Sequence, residues 1–151
     1  QAEKERLIEE GKIKRQKPLE PIKESEIPFE LPEGWVWCRL GDILYITSGK
    51  GLTSKDMQNG NIPVYGGNGV TGYHNKYNLE KRTLVIGRVG FYCGSIHITP
   101  DRAWVTDNAF KTIFSEKNID IHFLELLLKT FDLKEKDMSK YIIHFERFSF
   151  L

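Results

Sequence analysis

Residues 62–75 read IPVYGGNGVTGYHN, and no other stretch limits the fold as much. A β-like run, Ile62-Pro63-Val64-Tyr65, leads into Gly66, Gly67, Gly69 and Gly72. Glycine this dense excludes a stable helix and implies backbone at positive φ or in close approach to a neighbour. We therefore expect a loop here. Its Asn68, Tyr73, His74 and Asn75 are side chains able to hydrogen-bond or stack on base edges, with His74 and Asn75 on an exposed turn. A second glycine segment, Gly87-Arg88-Val89-Gly90, follows another β-like run, so the chain is expected to hold two loops at the edge of a sheet.

The flanking sequence supplies that sheet and little else. Residues 1–15 have helix-forming composition, acidic first and basic last, with Gly11 as C-cap or break. Their apolar seam is only Ala2, Leu7, Ile8 and Ile13, too thin for a helix this short to stand alone, which calls for a partner helix. Residues 16–34 carry Pro18, Pro21, Pro28 and Pro32 among Glu and Lys, the composition of an extended connector. The domain proper begins at Trp35, where Trp35 and Trp37 read as a core anchor, and Leu40–Ile46 suits a short turn of helix entering a strand. Strands are predicted at Thr83–Ile86, Ser95–Ile98, Trp104–Val105 and Phe110–Phe114. Asn118 or Asp120 caps a helix whose Ile121, Leu124, Leu127, Leu128 and Phe131 fall on one face. The aromatic segment Tyr141–Leu151 has no clean period, and we expect an incomplete strand or a truncated end.

At 151 residues one domain is expected. No apolar run approaches the ~20 residues of a membrane span and no signal pattern is seen, so we expect a cytoplasmic protein without membrane contact. Cys38 and Cys93 lack zinc-ligand spacing and read as buried free thiols. From Thr47 to Thr99 six basic residues stand against two acidic ones, a local excess of +4 in a chain whose net charge is +1. Basic character thus accompanies the glycine segments.

Several motifs fail on inspection. Thr47-Ser48-Gly49-Lys50-Gly51 lacks the earlier glycine and following Ser or Thr of a phosphate loop. Gly67–Gly72 satisfies GxGxxG, yet poor helix sequence follows and the acidic residue about 20 positions on is missing. His74, His97, His122 and His144 have no metal-ligand spacing, and no nucleophile elbow exists. Pro100-Asp101 with Asp132-Leu133-Lys134 supplies nuclease letters at chance level. No cofactor, metal or catalytic residue is expected.

Taken together, Leu31-Pro32-Glu33-Gly34-Trp35, Leu40-Gly41-Asp42-Ile43, Ser48-Gly49-Lys50, Ile62–Gly69, Gly72-Tyr73, Val85–Gly90, Cys93-Gly94-Ser95 and Val105–Ala109 resemble the target recognition domain of type I restriction-modification specificity subunits. The motifs keep the family's order from Leu31 to about Leu133. The resemblance implies an α+β domain with a mixed, curved sheet and flanking helices, preceded by a short piece of spacer helix. It divides the chain into spacer end 1–15, connector 16–34, recognition domain 35–133, and an atypical or truncated segment 134–151 that departs from the family pattern. The chain looks like the second of two such domains.

The implied function is non-catalytic reading of one half of a bipartite duplex DNA site, with methylation and cleavage belonging to methyltransferase and restriction subunits. Lys50, Lys76, Lys81, Arg82 and Arg88 would meet phosphates, and Asn68, Tyr73, His74 and Asn75 base edges. Each has a plain structural reading: Gly87–Gly90 as a tight turn with Arg88 in a surface contact, Asp107-Asn108 as a capping turn, Tyr65 and Tyr92 as packing residues. Two other functions stay open on the residues: a protein-interaction module forming homo-oligomers through the N-terminal helix, and, third, a metal-dependent nuclease.

Overall fold

The computed structural model describes residues 2–15, 17–88, 90, 93–133 and 140–146. They form two compact units: Gln1–Tyr45 with Asp137–Leu151, and Ile46–Lys136.

In the first unit, helix α1 (Ala2–Glu9) ends where Gly11 takes φ +68°. The Gly11 and Lys12 N–H groups return to the carbonyls of Ile8 and Leu7, a glycine cap closing the last turn as predicted. Of the seam, Leu7 and Ile13 are buried by the chain itself and Ile8 is half-buried. Strand β1 (Trp35–Arg39) precedes a single helical turn, α2 (Leu40–Ile43). Its antiparallel partner is the last strand, β9 (Ile142–Glu146), paired from Trp35 opposite Glu146 to Arg39 opposite Ile142. The patternless aromatic segment is therefore a strand over this stretch, and residues 147–151 lie outside the described residues. Trp35 and Trp37 join Phe29 and His144 in a surface aromatic cluster with ring centroids 4.8–5.6 Å apart, rather than forming an interior anchor.

The connector is less free than its prolines suggest. Glu24–Glu26 makes a turn of 3-10 helix, and the buried Arg39 side chain reaches back to it. Its guanidinium donates to both Glu26 carboxylate oxygens (2.6 and 2.8 Å) and to the Glu20 and Pro21 carbonyls (3.2 Å each).

The second unit carries the remaining strands: β2 (Tyr45–Ser48, entering from the first unit), β3 (Ile62–Gly66), β4 (Gly69–His74), β5 (Leu84–Gly87), β6 (Ile96–Ile98), β7 (Trp104–Val105) and β8 (Ala109–Ile113). They form a four-stranded sheet, β2-β8-β5-β6, and a three-stranded one, β4-β3-β7, whose β3–β7 pairing is parallel. The α+β class with mixed pairing holds, with the strands of the described residues shared among three small sheets. Tyr65, Val85, Ala103, Val105 and Ala109 pack between the two sheets of this unit, so the core rests on both glycine-flanked strands, β3 and β5. Asn78 acts as a surrogate strand: its amide donates to the Val105 carbonyl and accepts from the Val105 N–H, both at 2.8 Å.

Helix α3 (Ile121–Lys129) follows its prediction closely. Ile121, Leu124 and Leu128 are buried, and Asp120 accepts from the His122 and Phe123 N–H groups. Those two bonds hold the Asp120 carboxyl below its ordinary pKa, the Phe123 bond contributing most. Asp120→Ala removes the cap and is expected to lower Tm by about 2–4 °C, read by thermal melting.

Candidate nucleic-acid interface

The glycine-rich stretch is a β-hairpin, not a loop. β3 and β4 pair antiparallel around a two-residue Gly67-Asn68 turn, with Gly69 at φ +87° directly after it. Thr71 is the extra residue of a bulge between Val64 and Tyr65, and its hydroxyl donates to the Val64 carbonyl at 3.3 Å. Four glycines in seven positions hide a strand from sequence inspection because glycine is depleted in strands.

Those glycines serve packing. One face of the hairpin is covered by the segment running to Gly60. A Cβ on Gly72 would lie 2.7 Å from Met57 Sδ, and one on Gly60 would run into the backbone of His74 and Asn75. The Gln58 N–H donates to His74 Nδ1 at 3.0 Å, and the His74 ring stands edge-on to Trp104 with centroids 5.4 Å apart. His74 is therefore buried opposite Ile62 at the end of the ladder instead of standing on an exposed turn. Asn75 is exposed, though its amide N–H already donates to Gln58 Oε1.

The start of β6 comes close to the hairpin tip. Ser95 Oγ donates to the Gly67 carbonyl at 2.6 Å, and Gly69 lies against the His97 ring. His97 Nε2 is buried without a hydrogen-bond partner among the described residues, and burial lowers the His97 pKa, favouring the neutral ring. Arg88 is tied down: its guanidinium donates to Ser48 Oγ (3.1 Å) and the Asp107 carbonyl (3.3 Å) and lies 5.3 Å from the Phe110 ring centre. Val89, Phe91 and Tyr92 lie outside the described residues.

The nine sequence candidates do not form one patch. Asn68 is in the hairpin turn, Arg88 is bonded to Ser48, and Lys50 lies beside β7. The Lys50 N–H donates to the Val105 carbonyl, and its own carbonyl accepts from Trp104 Nε1 at 3.0 Å. Tyr73, Asn75 and Lys76 lie at the hairpin's open end, with Tyr73 58% exposed. Lys81 and Arg82 precede β5 and Arg88 follows it, so six residues at about 3.3 Å each separate the two arginines by about 20 Å. Arg82 already pairs with Glu116 at 3.1 Å. Lys50, Lys76 and Lys81 are exposed and enter no ion pair among the described residues, which leaves them the readiest cations for an external anion. Sequence inspection passed over Tyr77 and Arg102, an exposed pair with the guanidinium 5.6 Å from the ring centre. Arg102 has φ +57°, and the Pro100-Asp101 turn before it was the available signal.

Comparison with known proteins identifies the family. A family described as "Type I restriction modification DNA specificity domain" matches residues 32–149, which takes in the segment beyond Asp132. The type I restriction enzyme EcoAI specificity subunit of Escherichia coli is 58% identical over 53 residues, 35% of this chain and 9% of that protein. The EcoEI specificity subunit, also of Escherichia coli, is 62% identical over 42 residues, 28% of this chain and 7% of that protein. The crystal structure of a type I restriction-modification S subunit from M. genitalium superposes with a TM-score of 0.56 at 19% identity, covering 76% of this chain and 35% of that one, a likeness of fold. The chain thus spans about a third of the solved subunit and matches less than a tenth of the Escherichia coli proteins. With residues 32–149 accounted for by one family over most of the chain's length, the chain belongs to the type I restriction modification DNA specificity domain family.

Proposed function

We propose that this chain is the DNA-reading domain of a type I restriction-modification specificity subunit, holding one half of a bipartite duplex site for methyltransferase and restriction subunits and doing no chemistry itself. The family match over residues 32–149 carries this reading. Residues 35–133 are the recognition domain, 1–15 the end of a helical spacer and 16–34 the connector. Lys50, Lys76 and Lys81 hold phosphates, joined by Arg82 and Arg88 if DNA displaces their present partners, while Asn68, Tyr73 and Asn75 lie toward base edges. The protein works in the cytoplasm, and no helix among the described residues is long and apolar enough to cross a membrane. Self-association through α1 is the weaker reading, since Leu7 and Ile13 are already buried.

The test is titration of labelled duplex at two salt concentrations. Non-specific binding is expected at a Kd of ~10⁻⁴–10⁻⁶ M near physiological salt, falling as salt rises. Lys81→Ala should flatten the log–log salt slope by ~0.9. Magnesium, or a methyl donor, should leave the DNA unchanged. Binding indifferent to salt, or none at low salt, would sink the proposal.

A further inference from the structure

The hairpin has a second face, and its chemistry differs from what its asparagines and histidine suggest. Met57, Gln58 and Gly60 cover the side bearing Gly72 and His74. On the opposite side the register sets Val70 across from Tyr65 and Tyr73 across from Pro63. Tyr65 is buried, with its hydroxyl directed at the Ile98 carbonyl, while Val70 is 47% and Tyr73 58% exposed. β4 is also an edge strand, the position where proteins ordinarily place charge rather than apolar side chains. Along β4 itself the polar groups are largely engaged: His74 is buried and the Thr71 hydroxyl is bonded to Val64, while beyond the strand the Asn75 amide N–H is bonded to Gln58, which leaves Asn68 in the turn as the exposed polar side chain of the hairpin tip.

We infer that Val70 and Tyr73 determine specificity by contacting the 5-methyl group of thymine in the major groove. This rests on the proposed DNA-reading function and deepens it. β4, the edge strand of its three-stranded sheet, presents exposed Val70 and Tyr73, and thymine is the one standard base that presents an apolar group in the major groove. The occupant is duplex DNA rather than a second copy of the chain because exposed Lys76 lies two residues beyond β4 and the surrounding segment 47–99 carries the +4 excess, which suits a polyanion and opposes self-pairing.

The full chain is used to select duplexes from a randomised pool, and each thymidine of the winning sequence is then replaced in turn by deoxyuridine, which lacks only the methyl. For the unaltered protein, one or two positions should lose about fourfold in affinity, the worth of one methyl-sized group buried. Tyr73→Ala and Val70→Ser, which removes both methyls, should bind the thymidine and deoxyuridine duplexes alike at those positions, with melting temperatures unchanged because both side chains are exposed. Tyr73→Phe should keep the discrimination. Selection of a sequence without any thymidine-to-deoxyuridine effect overturns this inference and leaves the DNA-reading function standing. So do variants that fold and discriminate as before, or that lose a concentration-dependent dimer while keeping selectivity. Failure of the protein to bind duplex at all overturns both.

Discussion

Arg39→Ala is expected to cost about 2–3 kcal/mol and to expose residues 17–34 to protease, because one guanidinium holds the connector against β1. Its side chain is 9% exposed and donates to three partners, Glu20, Pro21 and Glu26. Charge-assisted bonds of this kind contribute about 1.5–3 kcal/mol, and the carbonyls left behind can regain water, which keeps the loss at the lower range for breaking a buried pair. Limited proteolysis with mass mapping reads the local effect, and urea unfolding the global one. The same contact predicts an acid response. Hydrogen bonds from Arg39, reinforced by the Lys23 N–H, pull the Glu26 pKa down to about 2. A carboxylate held below its unfolded value of about 4.3 stabilises the fold above that pH and loses the contribution as pH falls from about 5 toward 2. The difference in Tm between wild type and Arg39→Ala should therefore be large at pH 7 and shrink by pH 2. A difference independent of pH would show that Arg39 acts through its hydrocarbon stem alone.

Gly49→Ala should cost a similar amount, about 2–3 kcal/mol, through overpacking. A Cβ at Gly49 would run into the Val105 and Thr106 carbonyl oxygens and lie 2.6 Å from the Thr106 carbonyl carbon. The backbone has little room to yield, since the Gly49 N–H donates to Ala109 and the Lys50 N–H to Val105. Displacement would also move Ser48 away from the Arg88 guanidinium. Gly51→Ala is the control: its Cβ would meet nothing nearer than the Asp107 carboxylate at 3.6 Å, an ordinary contact. Urea midpoints of the two variants decide the matter, and equal midpoints would show that the strand ends around Gly49 are pliable.

What could be read from the sequence was whatever depends on near neighbours. Helix α3 announces itself because Ile121, Leu124 and Leu128 recur at helical spacing behind a capping Asp120. Strands β5 to β8 appear within a residue or so of their predicted bounds because β-branched and apolar residues alternate with turn formers. β4 stayed hidden because the reason for each glycine lies elsewhere: Met57 for Gly72, His97 beside Gly69. The inward turn of His74 depends on Gln58 and Trp104, and the pairing of β9 on a strand about 100 residues earlier. Arg39's hold on the connector was equally illegible, because two of its acceptors are main-chain carbonyls that any residue could present. Of the candidate site, the exposed lysines could be anticipated from residue type alone, whereas which face of the hairpin is open could not.

The β1–β9 ladder has a consequence for the order in which the chain assembles. The partners Arg39 and Ile142 flank the whole of the second unit, so joining them in an unfolded chain closes a loop of about 100 residues at an entropic cost on the order of 4 kcal/mol. Hairpins such as β3–β4 and β5–β6 close far shorter loops and can form early, each stabilising the next. The ladder is then the late step, and the aromatic cluster of Phe29, Trp35, Trp37 and His144 assembles only when residues from both flanks have met. A nascent chain can therefore complete the second unit while the first is still open.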